Sequence, residues 1–318
     1  MGAVYAAEDQ ELGETVALKT IRPGVAGSPQ AMQLFLREVQ LARKVSHVNV
    51  CRTFDVFHHA LAPPPGWEGP PPEITFLTME LLPGETLSAR LGREGPLAPA
   101  EALPLVRQVA AGLAAAHEAG GGHRDLKSSN IVLVPGARGA RAVVTDFGLA
   151  RAADTERESS ATEGGLVAGT PAYMAPEQVE GRESGPASDV YALGVVMYEM
   201  VTGKRPLEGD SPFSTALLRL STRPASPRSH VADLPPAWER TILRCLERDP
   251  ERRFASVLDV ARALEDEAVA ATSPWARQGR RALAAGAALL LALVAAWLLL
   301  RPPGRGAPEP RRSVAVLG

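Results

Sequence analysis

Cysteine and lysine are rare in this chain of 318 residues, and its net charge is small. The two cysteines, Cys51 and Cys245, are too few for a disulfide scaffold or a four-cysteine zinc site. A formal net charge of −2 gives no basic field, so we expect no nucleic-acid partner. Only four of the 34 basic residues are lysines, which we interpret as the amino-acid usage of a GC-rich genome.

The remaining composition is that of a globular protein, with 45% hydrophobic and 22% charged residues, and it excludes wholesale disorder. Apolar patterns predict strands near 16–18, 74–82 and 143–144. The same patterns predict helices over 31–45, 100–119, 188–201, 214–221, 236–247 and 256–269. Strands dominate early and helices late, which indicates an α+β protein with two lobes.

One long apolar segment differs from the rest of the sequence. Residues 282–300 carry no charge, and 19 residues of helix span about 28 Å, close to the roughly 30 Å hydrocarbon core of a bilayer. We predict a single transmembrane helix at 282–300, with a buried core helix as the alternative. Residues 269–281 are then a juxtamembrane linker, and 301–318 the start of a truncated outer segment.

The most specific pattern begins at His123 and reads His-Arg-Asp-Leu-Lys-Ser-Ser-Asn as far as Asn130. Asp146-Phe147-Gly148 and Ala175-Pro176-Glu177 follow it, and Val16-Ala17-Leu18-Lys19 and Glu38 precede it. In this order and spacing, these motifs resemble the eukaryotic-like protein kinases, and specifically the bacterial membrane-anchored serine/threonine kinases.

That resemblance implies a two-lobed protein kinase-like fold over residues 1–268. The small lobe would cover about 1–82 and the large lobe about 83–268. It also implies ATP as the phosphoryl donor, with Mg²⁺, or Mn²⁺ as the alternative ion, held by the oxygen ligands of Asn130 and Asp146.

The resemblance assigns catalytic roles residue by residue. Asp125 is expected to accept or orient the proton of the substrate hydroxyl, beside Asn130. Lys127 is expected to contact the γ-phosphate, and a lysine there is typical of serine/threonine kinases. Lys19 is expected to hold the α- and β-phosphates, with its ammonium group fixed by an ion pair to Glu38.

The remaining ATP-binding residues come from the glycine loop, the early strands and the strand that ends near Leu82. Those implied by the resemblance are Gly2, Val4, Ala17, Met79, Glu80, Leu82 and Val132. Met79 resembles the gatekeeper, and Glu80 and Leu82 would offer backbone groups to adenine. Ala17 and Val132 would pack on the two faces of the base, with plain core packing as the alternative for each apolar residue.

Two departures from the family pattern concern glycine. Only Gly2 and Val4 remain of the glycine loop, so we expect its first strand and two further glycines to precede Met1. Gly121 and Gly122 stand where the family usually has aliphatic strand residues, which predicts a looser catalytic loop.

The resemblance also identifies a substrate loop and its supports. The substrate loop runs from Gly169 to Glu177, and Thr170 would form a hydrogen bond near Asp125 and Lys127. Glu177 is expected to pair with Arg253, and Asp189 to hold the catalytic-loop backbone from below. The polar segment 152–168 is a predicted activation loop, in which Arg124 would pair with a phosphate. The phosphorylation candidates are Thr155, Ser159, Ser160 and Thr162.

These inferences predict a transmembrane signalling kinase with its lobes in the cytoplasm and Ser/Thr-bearing proteins as substrates. Alanines at every fourth position, Ala284, Ala288, Ala292 and Ala296, are compatible with a homodimer, although alanine is common throughout this segment. One alternative is a catalytically weak pseudokinase that acts as a membrane-tethered scaffold. Another is a small-molecule phosphotransferase, which normally lacks the substrate loop.

Overall fold

The computed structural model describes residues 3–21, 28–63, 66, 69, 71, 73–137, 139–147 and 171–272, with the backbone alone over 267–272. Several predicted features lie outside these residues: Gly2, the four phosphorylation candidates, Thr170 and the apolar segment 282–300. Within the described residues, no helix combines the length and the apolar character needed to cross a membrane.

The first part of the chain forms a four-stranded antiparallel sheet and one helix. The strands are β1 (Val4–Asp9), β2 (Glu14–Thr20), β3 (Thr53–Ala60) and β4 (Glu73–Glu80), in the order β1-β2-β4-β3. Helix α1 (Pro29–Lys44) begins at Ser28, whose hydroxyl accepts a hydrogen bond from the Ala31 N–H. Its buried residues Ala31, Phe35 and Val39 pack with Leu77 of β4, because side chains four apart share one helix face.

A small second sheet leads into the helical part. Its strands are β5 (Glu85–Thr86), β6 (Ile131–Val134) and β7 (Arg141–Val144), in that order. Between β5 and β6 lie the helices α2 (Leu87–Glu94) and α3 (Pro99–Glu118). The β6–β7 pair is antiparallel, with Ile131 opposite Val144, so the start of β6 lies beside the end of β7.

The larger core is built by helices. After α3 come α4 (Pro176–Val179), α5 (Pro186–Thr202), α6 (Pro212–Ser221), α7 (Pro236–Cys245) and α8 (Val257–Thr272). Most residues of α5 are buried, and this helix packs against α3 and α7. A Cβ on Gly194 of α5 would lie 2.5 Å from Cys245 Cβ, so only glycine permits this close contact.

The α+β, two-lobed architecture predicted from the sequence is confirmed, as are its long helices and the strands containing 16–18, 74–80 and 143–144. The apolar patterns did not predict β1, β3, β5, β6, α2 or α4. Strand β3 is exposed over most of its length and shows no alternation. Helix α2 has eight residues and buries only Leu87 and Leu91, too few to show a helical period.

Candidate active site

The pairing of β6 with β7 brings two distant parts of the sequence together. Asn130 immediately precedes β6, and Asp146 follows β7 by two residues. The Thr145 N–H donates to the Asn130 carbonyl at 2.8 Å, which continues the pairing by one step. The two residues that the resemblance assigns to a metal ion therefore lie at one edge of this sheet.

Asp125, Lys127 and Asn130 meet within the catalytic loop. Lys127 Nζ donates to Asp125 Oδ2 at 2.6 Å, and Asn130 Nδ2 donates to the Asp125 carbonyl at 2.9 Å. Lys127 is buried, whereas the Asp125 side chain keeps 19% of its surface exposed. The carboxylate is thus held in place and remains open on one side to a reacting group.

Asp146 adopts a left-handed conformation, with φ of 64°, and accepts a hydrogen bond from Lys19 Nζ at 2.5 Å on Oδ1. Non-glycine residues rarely adopt this conformation, and it is typical of functional positions. Because Asn130 uses its amide nitrogen on Asp125, its amide oxygen is the atom of this side chain that can bind a cation. Two hard oxygen donors suit Mg²⁺ or Mn²⁺, so the residues present fit such an ion.

Glu38 is placed differently from the expectation. Its buried carboxylate faces Arg124, with Oε1 at 3.7 Å from Nη1. Within the described residues, the ion pair expected between Lys19 and Glu38 is replaced by two pairs, Lys19 with Asp146 and Arg124 with Glu38. A deeply buried carboxylate needs a cation close by, and Arg124 is a cation that the catalytic loop brings against α1.

The residues predicted to contact adenine lie on β1, β2 and β4, just beyond β4, and on β6. Ala17 is buried and opposite Met79 in the β2–β4 register, and Met79, Leu82 and Val132 pack in one apolar cluster. Val4 lies opposite Lys19 in the β1–β2 register, with 54% of its surface exposed. The structure therefore places Ala17 on the strand that carries Lys19 and Met79 on its neighbour β4, and Leu82 and Val132 pack in the same cluster as Met79.

Two residues near Glu80 were missed by the sequence analysis. Arg141 of β7 donates to Glu80 Oε1 at 3.1 Å and to the Val48 carbonyl at 2.8 Å, so it ties the end of β4 to the second sheet. The Cys51 thiol donates to the Glu80 carbonyl at 3.6 Å. Burial, followed by the nearby Glu80 charge, raises the pKa of Cys51 to about 12, which keeps the thiol protonated and unreactive.

Asp189 at the start of α5 holds the catalytic loop. Its carboxylate accepts hydrogen bonds from the backbone N–H groups of His123 and Arg124, each at 2.8 Å. These bonds stabilise the left-handed conformation of Arg124, whose φ is 63°. His117 of α3, which the sequence analysis missed, bonds the same carboxylate at 2.7 Å. Burial alone raises the pKa of Asp189, but the hydrogen bond from His117, the nearby His123 and the Arg124 backbone N–H together outweigh it and hold the pKa below its usual value.

The described part of the substrate loop, residues 171–177, ends in a buried ion pair. Arg253 donates to both oxygens of Glu177 at 2.8 Å, and Ser188 donates to Oε1 at 2.7 Å. Arg253 also donates to the backbone carbonyls of Ala187, Glu247 and Arg248. This network attaches the end of the substrate loop to the late helices.

A second connection in the substrate loop was not foreseen. The Tyr173 hydroxyl donates to Glu199 at 2.6 Å and shares a hydrogen bond with the Ser128 hydroxyl at 3.0 Å. Burial, then the Glu199 charge, raises the pKa of Tyr173, so the hydroxyl keeps its proton. The pattern gave no signal for this contact, because the partners are 45 and 26 residues from Tyr173 along the chain.

The sequence of this chain is similar to those of known protein kinases. Residues 1–266 match the family described as "Protein kinase domain". The chain is 36% identical over 256 residues to serine/threonine-protein kinase PknA of Mycobacterium tuberculosis, which covers 80% of this chain and 56% of that protein. It is 38% identical over 267 residues to serine/threonine-protein kinase Pkn1 of Myxococcus xanthus, covering 83% and 36%.

Solved structures show the same fold. The kinase domain of Mycobacterium tuberculosis PknI superposes with a TM-score of 0.64 at 24% identity, over 84% of this chain and 91% of that one. The chain spans about half the length, or less, of the two curated relatives that it matches.

Proposed function

Because this chain belongs to the protein kinase domain family, we propose that it is an ATP-dependent protein serine/threonine kinase. The observation that carries the proposal is the convergence of Asp125, Lys127 and Asn130 in one loop, next to Asp146 and Lys19. Phosphoryl transfer needs positioned charges more than covalent help, and these side chains supply them.

The chemistry follows from the positions of the side chains. The Asp125 carboxylate accepts the hydrogen bond of a substrate hydroxyl and takes its proton as the hydroxyl oxygen bonds to the γ-phosphorus of ATP and the bond from that phosphorus to the departing ADP oxygen breaks. Lys127, fixed at 2.6 Å from Asp125, places a positive charge where the transferred phosphoryl group carries negative charge. The Lys19 ammonium group binds the α- and β-phosphates of the ATP donor. A Mg²⁺ or Mn²⁺ ion held by Asn130 and Asp146 would neutralise charge on those phosphates.

Serine and threonine hydroxyls of proteins are the proposed acceptors. Lys127 supports this class by resemblance, and the matched relatives are named as serine/threonine-protein kinases. The structured end of the substrate loop, anchored by Glu177 and Tyr173, offers a platform for a peptide next to Asp125. A catalytically silent scaffold is not favoured, since the described catalytic side chains are present and placed together.

The proposal extends to membrane attachment and regulation. The uncharged segment 282–300 would anchor the protein as a single-pass helix in the cytoplasmic membrane, with the linker 269–281 joining it to lobes that face the cytoplasm, where ATP is. Contact between anchored copies in a homodimer would favour phosphorylation in trans. Arg124 would exchange its contact with Glu38 for a phosphate in the segment 152–168. The candidates remain Thr155, Ser159, Ser160 and Thr162.

Transfer of labelled phosphate from ATP to a generic protein substrate tests the proposal. We predict that Asp125→Asn lowers transfer at least about 100-fold while nucleotide binding persists, because a neutral amide cannot take the proton. Asp146→Asn should instead weaken Mg²⁺-dependent nucleotide binding. Asp210→Asn, at an exposed position, is the matched control and should change neither.

Mass spectrometry of the same samples reports on regulation. The parent chain incubated with Mg·ATP should carry phosphate between residues 150 and 169, and Asp125→Asn should not. Near-normal transfer by Asp125→Asn would refute the assigned role. An active parent chain without phosphate in that segment would refute the regulatory part alone.

A further inference from the structure

Helix α6 (Pro212–Ser221) exposes two apolar side chains and buries a charged one, the opposite of the usual arrangement in an amphipathic helix. Phe213 and Leu217 point outward, with 55% and 46% of their surfaces exposed. Arg219 points inward and is 1% exposed, on the face that also buries Thr215 and Ala216. An ordinary amphipathic helix would place an apolar residue at this inward position. A buried arginine at a position that favours an apolar residue is expected where that side chain serves a function.

Each of the three guanidinium nitrogens of Arg219 donates a hydrogen bond to the substrate loop or to α5. Its Nε donates to the Pro171 carbonyl at 2.8 Å, and Nη2 donates to the Ala172 carbonyl. Its Nη1 donates to the Tyr191 hydroxyl at 2.9 Å. Two successive peptide carbonyls are therefore held by one planar group, which fixes the direction of the backbone at 171–172.

The partners of Arg219 are all neutral. No ion pair among the described residues includes it, although a buried charge is costly to desolvate. Its compensation comes from the two carbonyls, the phenol and the Tyr191 ring, whose centroid lies 5.7 Å from the guanidinium carbon. An apolar side chain would fill this position without that cost, so what Arg219 adds is the fixed position of residues 171–172.

Tyr191 connects this contact to the other end of the substrate loop. The Arg253 guanidinium carbon lies 5.0 Å from the same ring, and Arg253 holds Glu177. The residue after Ala172 is Tyr173, whose hydroxyl meets Ser128 of the catalytic loop. A shift of the backbone at 171–172 would therefore move the substrate loop relative to Asp125.

We propose that Arg219 is a positioning residue that sets the placement of substrate-loop residues 171–173 against the catalytic loop and so determines the affinity for the peptide substrate. The kinetic half of this inference rests on the proposed kinase function. The structural half concerns the order of the loop and can be measured without any activity.

The kinetic test compares Arg219→Met, which removes every donor, with Arg219→Lys, which keeps the charge and one donor group. The expected result is a rise of about 10- to 100-fold in KM for a peptide substrate in Arg219→Met, with KM for ATP unchanged. Arg219→Lys should recover part of the loss. Val260→Ala, a buried change in another helix, α8, controls for lost stability. The positioning role would be refuted if Arg219→Met changed the kinetics no more than Val260→Ala does. It would also be refuted if Arg219→Met raised KM for the peptide and KM for ATP by the same factor.

Amide hydrogen exchange supplies the readout that is independent of activity. In Arg219→Met, the amides of residues 172–175 should exchange faster than in the parent chain, while those of α5 stay protected. Unchanged exchange at 172–175 would overturn the inference. If the parent chain transfers no phosphate to any protein, the proposed function fails, and the exchange result still decides the role of Arg219.

Discussion

Buried charged side chains in this molecule are held in two different ways. Glu177 and Arg253 neutralise each other through two parallel hydrogen bonds, whereas Arg219 is compensated by neutral acceptors alone. Burial by itself raises the pKa of Glu177, but the Arg253 hydrogen bonds and charge outweigh it and hold the pKa below 4.5, its usual value. The ionised form of Glu177 is thus the form that stabilises the fold.

We predict that Glu177→Gln lowers the free energy of unfolding by about 3 kcal/mol at neutral pH, because Arg253 is left buried beside a neutral amide. A carboxyl with a lowered pKa stabilises the fold fully above its unfolded value of 4.5, and that contribution is lost as the pH falls through the lowered pKa. Urea unfolding at several pH values should show a constant gap between the two proteins that narrows only below that value. Glu183→Gln, at an exposed site, should open no such gap. A gap that stays constant down to the lowest pH would contradict the assignment.

At the scale of elements, the turn between α3 and the catalytic loop explains how a glycine-rich segment supports a defined site. Gly120 lies two residues after the end of α3 and has φ of 82°, a conformation that glycine adopts without cost. Gly121 has no left-handed φ, and its N–H donates to the Ala116 carbonyl at 3.0 Å. Asp189 and His117 then fix the backbone that follows. The looseness that the glycines predict is therefore opposed by hydrogen bonds from α3 and α5.

Replacing either of two neighbouring glycines by alanine should change the free energy of unfolding, but in opposite directions. We predict that Gly121→Ala raises the free energy of unfolding by about 0.5 kcal/mol, because it restricts the unfolded chain and a Cβ would meet Ala116 O at an ordinary 3.6 Å. Gly120→Ala should lower it by about 1 kcal/mol through backbone strain alone, since open space surrounds its Cβ position. Thermal unfolding of both variants checks the pair. Equal effects of the same sign would contradict this account of the turn.

At the scale of the whole molecule, the proposed function includes a membrane anchor formed by the apolar segment 282–300, which lies beyond the described residues. We predict that the full chain remains with membranes after alkaline extraction. The double change Leu290→Arg and Leu291→Arg should release it, since each arginine near the centre of a membrane helix costs about 2.5 kcal/mol. Leu12→Arg, at an exposed position of the β1–β2 hairpin, should leave the distribution unchanged. Retention of the double variant would refute the anchor.

Much of the fold and the site could be predicted because their signals are local. The helices α1, α3 and α5 are long enough to show an apolar pattern, and the catalytic loop keeps its chemical groups within eight residues. Strand β3 and helix α2 could not be predicted, because one is largely exposed and the other is short. Site residues that act through distant partners, such as His117 and Tyr173, carry no pattern of their own.

The sequence by itself determined the two-lobed α+β architecture and the identity of the groups around Asp125, since both depend on the order and spacing of residues along the chain. Only the tertiary structure decided which partners those groups take. Lys19 meets Asp146 across 127 residues, Glu38 meets Arg124, and Arg219 reaches Pro171 across 48 residues. The physical reason is that a buried charge interacts with the charged or polar group that packing brings close to it, and packing is a property of the folded chain.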